Sequence, residues 1–300
     1  MSAASPVISA IVIAYNGAAF LPSCLRTLLA DLTGIESEVI VVDNGSSDGS
    51  ADLVSRDYPD VQLIRNGENL GFTAAVNIGL KTARGSYLYI LNQDLEFSPG
   101  STRLLLDRLR REPEVGLIGP AFVDRNDTVM PSVRSFPTYR HVVYVATGLS
   151  RLLPTHREFS SWKMGWFDHQ TERYVDQPMG AAMLVPRPVI DRVGLLDEQF
   201  PIFFSDVDFC KRIHDVGYRL LYYPAARVFH HVGGSTRRQP ARMRVESHRS
   251  MYRYLRKYAR WYQLPCLWLA GVLLYAGILP AALGLMDSPR SSEDSSHATD

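Results

Sequence analysis

The chain has 300 residues, 46% of them hydrophobic and 21% charged, with a formal net charge of +1 at pH 7. This is the composition of a folded globular protein, and the near-zero charge carries no electrostatic footprint of nucleic-acid binding. Its three cysteines, Cys24, Cys210 and Cys266, lie far apart, form no metal-type spacing and point to a reducing compartment.

Met1–Pro6 shows neither a basic region nor a cleavage pattern, so Val7–Ala14 reads as a first strand rather than a signal-peptide core. Leu21, Leu25, Leu28, Leu29 and Leu32 give Ala18–Leu32 the spacing of a helix. Glu38–Val42 reads as a strand, Asp48–Tyr58 as a helix opened by a Ser/Asp cluster, and Val61–Ile64 as a short strand. A helix over Phe72–Ala83 and a strand over Tyr87–Leu91 follow. Strands and helices alternate at spacings that suit right-handed crossovers and a mainly parallel sheet. Continuous rather than alternating apolar strands predict a sheet covered on both faces. Pro99–Arg111 predicts a further helix, and Val115–Phe122 and Gly180–Val185 predict further strands. Thr128–Gln177 is rich in aromatics, Arg and Pro with weak periodicity, and reads as loops and short helices of a substrate lobe. No GxGxxG follows the first strand and no Walker A pattern occurs, which weighs against dinucleotide-binding and P-loop classes.

Five places carry chemistry. Tyr87–Glu96 ends on two carboxylates, Asp94 and Glu96, two residues apart. On a continuous strand they share a face and point past its C-terminal end, where ligands of open α/β sheets bind. A divalent cation holding a diphosphate suits such a pair, and an acidic loop after an edge strand is the structural alternative. The second strand runs into Asp43-Asn44-Gly45-Ser46-Ser47-Asp48-Gly49-Ser50, either a carboxylate for a base or ribose or simply a turn and helix cap. In Asn69-Leu70-Gly71-Phe72, Gly71 lets backbone approach a ligand closely. Ser205 is a good N-cap, and it puts Asp206 and Asp208 in a first helical turn, where the dipole favours anions with or without a function. The apolar lead-in Phe200–Phe204 would set the pair at a pocket rim. His230 and His231, between a strand-like Tyr222–Val228 and Gly233-Gly234, are either structural or metal ligands.

Ile11-Val12-Ile13-Ala14-Tyr15-Asn16, the Val41–Ser50 segment, Asn69-Leu70-Gly71-Phe72, Ala83-Arg84-Gly85 and Leu91-Asn92-Gln93-Asp94 together resemble the family 2 inverting glycosyltransferases of GT-A fold. The resemblance runs from residue 7 to about residue 235. Asn92-Gln93-Asp94 and Arg134-Ser135-Phe136-Pro137 look most like the rhamnosyltransferase branch. The resemblance implies an α/β GT-A nucleotide-diphospho-sugar transferase fold over residues 1–240, with a nucleotide-binding half up to about 125 and an acceptor-binding half beyond it. It implies donor contacts from Ala14, Tyr15, Asn16, Asp43, Asn69, Gly71, Asn77, Asn92 and Gln93. It implies a divalent cation, Mn²⁺ or Mg²⁺, on Asp94 and on His230, with His231 the alternative. Asn92 stands where many relatives carry a first Asp, so Glu96 is a further ligand candidate. Ser205 likewise replaces the first member of the family's acidic pair, which maps the catalytic base to Asp206, with Asp208 the alternative. The implied reaction moves a sugar with inversion from a nucleotide diphosphate, for this branch L-rhamnose from dTDP-rhamnose, to a polyprenyl-linked or cell-surface polysaccharide acceptor. A non-catalytic nucleotide-sugar-binding or scaffolding protein of the same fold is the competing reading, in which Asp94, Asp206 and His230 need not converge.

Leu264–Met286 holds no charged residue over 23 positions, enough to span a bilayer core, although Pro265, Pro280 and three glycines interrupt it. The preceding Arg242–Arg260 interleaves seven basic residues with Tyr252, Tyr254 and Tyr258, and Trp261 follows directly. Together, 241–286 reads as an anchor at the cytoplasmic face of a membrane, or else as a C-terminal helix buried on the body or in an oligomer contact. The Ser- and Asp-rich 287–300 is expected to be disordered.

Overall fold

In a computed structural model that describes residues 5–231 and 240–282, seven elements alternate from the start. They are β1 (Ile8–Ala14), α1 (Leu21–Asp31), β2 (Ser37–Asp43), α2 (Ser50–Asp57), β3 (Gln62–Arg65), α3 (Phe72–Thr82) and β4 (Tyr87–Asn92). The four strands are parallel, in the order β3-β2-β1-β4. Every residue of β1 is buried, and the reason is cover on both faces. Ile8, Ala10 and Val12 pack with Leu21, Leu25 and Leu28 of α1. Ile11 and Ile13 pack on the other side with Ala75, Val76 and Leu80 of α3. Each such side chain contributes roughly 1.5–3 kcal/mol when fully buried.

The second half is mixed. It contains β5 (Leu95–Phe97), α4 (Ser101–Arg110), β6 (Val115–Val123), β7 (Val133–Arg134), α5 (Tyr139–Ala146), α6 (Leu149–Leu152), β8 (Arg173–Tyr174) and β9 (Gln177–Pro178). Next come β10 (Ala182–Pro186), α7 (Arg187–Val193), α8 (Ser205–Asp215) and β11 (Arg219–His230). β10 runs antiparallel to both β4 and β6, and β11 runs parallel to β6 and antiparallel to β5. The sheet order is β3-β2-β1-β4-β10-β6-β11-β5, with β8 also on β11. α4 joins the α1 side, while α7 and α8 join the α3 side. β7 and β9 form a separate two-stranded ribbon. The aperiodic stretch after residue 128 thus carries only short elements, as expected of a lobe built from loops.

At the C-terminus, α9 (Pro240–Lys257) and α10 (Leu264–Ala282) flank a 3₁₀ turn at Trp261–Gln263. Met251, Tyr254 and Leu255 of α9 meet Leu267, Ala270 and Leu274 of α10 in a third core, together with Phe200, Phe204 and Val207. The basic, aromatic helix therefore packs on the body as well as flanking the apolar one. Among the described residues no helix is long and apolar enough to cross a membrane. The end of the apolar run and the expected disordered tail, 283–300, lie outside the described residues.

α3 sits so close on the sheet that a Cβ at Gly79 would lie 2.3 Å from Ile11 Cγ2. Gly79→Val should overpack this contact and cost at least roughly 1–3 kcal/mol. A urea midpoint unchanged from wild type would contradict this packing.

Candidate active site

The parallel strands end together, with Ala14 opposite Asp43 and Ile13 opposite Asn92. The loop after β1 is held from two sides. Tyr15 N donates to Gln93 Oε1 and Gln93 Nε2 donates to Tyr15 O, both at 2.9 Å. A Cβ on Gly17 would lie 1.9 Å from that Gln93 oxygen, so a larger residue would push the Gln93 amide off the Tyr15 backbone. Asn16, at φ +48°, accepts from Ser47 N, while its own N–H and those of Gly17 and Ala18 reach Ser46, Ser50 and Asp48, all at 2.9 Å. Gln93 and Asn16 thus shape the loop that lines the strand ends. Asp43 Oδ2 accepts from Ser46 N at 3.2 Å, but its Oδ1 is buried without a partner. A buried acceptor left open costs about 1–3 kcal/mol, and the N–H of a base or a ribose hydroxyl would satisfy it.

Asn44, to which the sequence assigned no role, frames the other wall. Its Nδ2 donates to Asn69 Oδ1 and Gly71 O, and its Oδ1 accepts from Asn66 Nδ2 and Leu70 N, all at 3.1 Å. Gly71, at φ +89°, then opens α3. Asn77 departs from the expectation of a donor contact. It is buried in α3, donating to Leu196 O and Glu198 Oε1 and accepting from Leu196 N. All its capacity except one lone pair goes to holding the segment before α8.

Asp94 and Glu96 do not share a strand face. β4 stops at Asn92, and a turn at Gln93–Asp94 leads into β5, which pairs with β11. Asp94 Oδ1 lies 3.5 Å from His230 Nε2. Glu96 instead meets His231 Nε2 at 2.8 Å, a bond that lowers its pKa. Glu96 and His231 thus satisfy each other one step away. Three polar atoms on the Asp94 side are buried and unpartnered: Asp94 Oδ1, Asn92 Oδ1 and His230 Nδ1. Among the described residues no three His, Cys, Asp or Glu side chains form a metal cage. A carboxylate and an imidazole with open atoms do fit a divalent cation that takes its other ligands from a bound diphosphate and water.

Asp206 stands in the first turn of α8. Its helix is not capped by Ser205, which is buried as the first helical residue; the cap position belongs to Phe204 at φ +71°. A bulky residue rarely adopts this left-handed conformation, and here burial against Tyr254, at 5.9 Å between rings, holds it. Asp206 Oδ2 accepts from Gln177 Nε2 (2.7 Å) and Gly180 N (3.2 Å), and Oδ1 accepts from Val207 N (2.9 Å). A Cβ on Gly180 would lie 2.7 Å from Asp206 Cβ, so this glycine makes room for the carboxylate. The next residue, Ala181, accepts from Asn92 N at 2.9 Å, so one dipeptide joins Asp206 to the end of β4. Burial raises the Asp206 pKa above its ordinary 3.8, against the pull of these hydrogen bonds and the Arg134 charge. Asp208 faces elsewhere. It is fully buried, with Oδ2 taken by Arg212 Nε (2.9 Å) and Oδ1 by Lys257 Nζ (2.6 Å) and Tyr258 OH (2.7 Å). Both its oxygens are held by protein partners. Gln177 gave no signal in the sequence, since it lies in the aperiodic lobe, and Gly180 read only as the start of a strand.

Open polar groups at the C-terminal edge of a mainly parallel sheet, tied through Gly180-Ala181 to the half-buried carboxylate of Asp206, suit a GT-A glycosyltransferase. Residues 9–168 match the Glycosyl transferase family 2 model, and the chain belongs to that family. It is 31% identical over 245 residues to the N-acetylglucosaminyl-diphospho-decaprenol L-rhamnosyltransferase of Mycobacterium tuberculosis, covering 77% of this chain and 78% of that protein. It is 26% identical over 193 residues to a low-salt glycan biosynthesis hexosyltransferase of Haloferax volcanii, covering 63% of this chain and 56% of that one. Among solved structures it resembles a mannosyltransferase from Pyrobaculum calidifontis in complex with GDP-Man and Mn²⁺, with TM-score 0.57 at 20% identity over 95% of this chain and 77% of that one. S. aureus TarS aligns with TM-score 0.54 at 15% identity over 82% of this chain and 39% of that one. These two likenesses concern the fold.

Asp206→Asn should cut turnover by about 10²–10⁴-fold and leave donor affinity intact. Because the Asp206 pKa is raised, the unfolded chain ionises first, and the folded state is penalised as pH rises from 3.8 through the folded value. Asp206→Asn should therefore also raise Tm at pH 7, and wild-type kcat/KM should fall on the acid side with an apparent pKa above 3.8. An equal or lower Tm in the variant, together with undiminished turnover, would rule out this role.

Proposed function

We propose that this glycosyltransferase transfers L-rhamnose from dTDP-rhamnose, with inversion, to a lipid-linked acceptor at the cytoplasmic face of a membrane. The observation that carries the donor and acceptor is the 31% identity to the mycobacterial L-rhamnosyltransferase over 77% of the chain. In this reading the open Oδ1 of Asp43 accepts from the base, and the Ala14–Asn16 loop and Gly71 border the nucleotide. Asp94 and His230 hold a divalent cation, which supplies positive charge to the leaving diphosphate. Asp206 takes the proton of the acceptor hydroxyl as that oxygen attacks the anomeric carbon from the face opposite the diphosphate. The C–O bond to the diphosphate breaks and the nucleoside diphosphate leaves. The raised pKa suits a carboxylate that must hold that proton.

Membrane association is read from α10 and its entry turn. One side of the helix belongs to the third core; on the rest, Trp261, Trp268 and Leu264 are 82%, 71% and 57% exposed. Arg256 and Arg260, both exposed, lie beside them in sequence. Apolar aromatics edged by arginine suit a helix lying in an anionic lipid surface.

Titration calorimetry with dTDP-rhamnose and the common UDP- and GDP-sugars, with and without Mn²⁺, tests the donor. Metal-dependent binding of dTDP-rhamnose that is lost in Asp94→Ala is the expected result. Preference for another donor would overturn the rhamnose assignment, and an unaltered Asp94→Ala would overturn the cation site. For the membrane face, Trp261→Ser with Trp268→Ser should weaken partitioning onto anionic vesicles by about tenfold or more. Equal sedimentation of variant and wild type would exclude that surface.

A further inference from the structure

Around Asp206, a group of polar atoms is left open that neither the donor site nor the base accounts for. Arg134 lies directly opposite Gln177 in the β7–β9 ribbon, and directly opposed residues emerge on one face. The guanidinium is half-buried and stands over the Trp162 ring at 5.3 Å. Among the described residues it makes no ion pair or hydrogen bond. Trp162 Nε1 and Gln177 Oε1 are both buried without partners. Gln177 Nε2 is the group that donates to Asp206, so its open oxygen lies one amide away from the base.

This guanidinium feels the Asp206 charge but forms no ion pair with it, and burial lowers its pKa. A bound anion would relieve it, because a guanidinium fork matches phosphate oxygens. Two diphosphates enter such a reaction, one on the donor and one on the acceptor. The donor's belongs beside Asp94 and His230, beyond the Gly180-Ala181 dipeptide. Arg134 lies on the Asp206 side, where the acceptor hydroxyl must arrive.

We propose that Arg134, the Trp162 indole N–H and Gln177 Oε1 form the subsite for the sugar-diphosphate head of the acceptor. Arg134 and Trp162 donate to phosphate oxygens, and Gln177 accepts from a sugar hydroxyl near the one attacked. This assignment rests on the lipid-linked acceptor proposed above and deepens it.

The test compares two soluble acceptors bearing the same sugar: N-acetylglucosamine diphosphate on a short polyprenyl chain, and neutral octyl N-acetylglucosaminide. kcat/KM for each is measured with dTDP-rhamnose and Mn²⁺ for wild type, Arg134→Ala and Arg134→Lys, beside donor binding. Wild type should favour the diphosphate acceptor, and Arg134→Ala should shrink that preference by about 10–100-fold with donor binding unchanged. Arg134→Lys keeps the charge but not the fork and should fall between them; it also serves if Arg134→Ala folds poorly. A preference that survives both substitutions overturns the subsite alone. Donor binding weakened in step with transfer places Arg134 on the donor and overturns it too. Donor binding without transfer to either acceptor by wild type overturns the lipid-linked reading and the subsite together.

Discussion

β4 has a parallel neighbour on one side and an antiparallel one on the other, and the chemistry depends on that seam. Its parallel partner β1 brings the nucleotide-side loops to its C-terminal end. Its antiparallel partner β10 starts at the same end, so the residues just before β10 arrive there too. The bond from Asn92 N to Ala181 O closes the seam, and Gly180, one residue earlier, donates to Asp206. Two halves that a purely parallel sheet would spread along its edge are drawn to one point.

The cleft is built at the expense of stability. Asp43, Asn92, Asp94, His230, Trp162 and Gln177 all keep a buried polar atom without a partner. Each open group costs about 1–3 kcal/mol while it waits. Phe204 adds a left-handed backbone for a bulky side chain, and burial raises the Asp206 pKa. The compensation lies elsewhere, in the doubly covered strands and in satisfied networks such as that around Asn44. A site pre-arranged in this way need not reorganise its dipoles when charge develops.

Continuous apolar runs made β1, β2 and β4 legible, because burial on both faces leaves no other pattern. The strand-end residues Ala14, Asp43 and Asn92 followed from that frame. What failed was local. Asp94 and Glu96 read as one face because nothing in Asn92-Gln93-Asp94 announces a turn. Ser205 read as a cap because Phe204 adopting a positive φ is a tertiary effect, imposed by packing against Tyr254. Asn77 is a polar residue in a motif, and composition does not say whether its amide serves a ligand or, as here, a backbone segment. The short strands β7 and β9 carry too few residues for any period to show, so Gln177 and Arg134 were invisible as partners. Asp208 was separable from Asp206 only once Lys257 and Tyr258, about fifty residues on, were in place.

That last contact has a consequence for handling the molecule. Asp208 is the point where the helix carrying Asp206 is bolted to the last turn of α9, immediately before the aromatic surface of α10. Cutting the chain ahead of Lys257 to obtain a better-behaved fragment would strip one carboxylate oxygen of both its partners in a dry interior. Breaking a buried pair in this way costs about 3–5 kcal/mol. The strain would fall on a helix whose second residue is Asp206. The end of α9 therefore helps to hold α8, and a truncation ahead of Lys257 would disturb that helix.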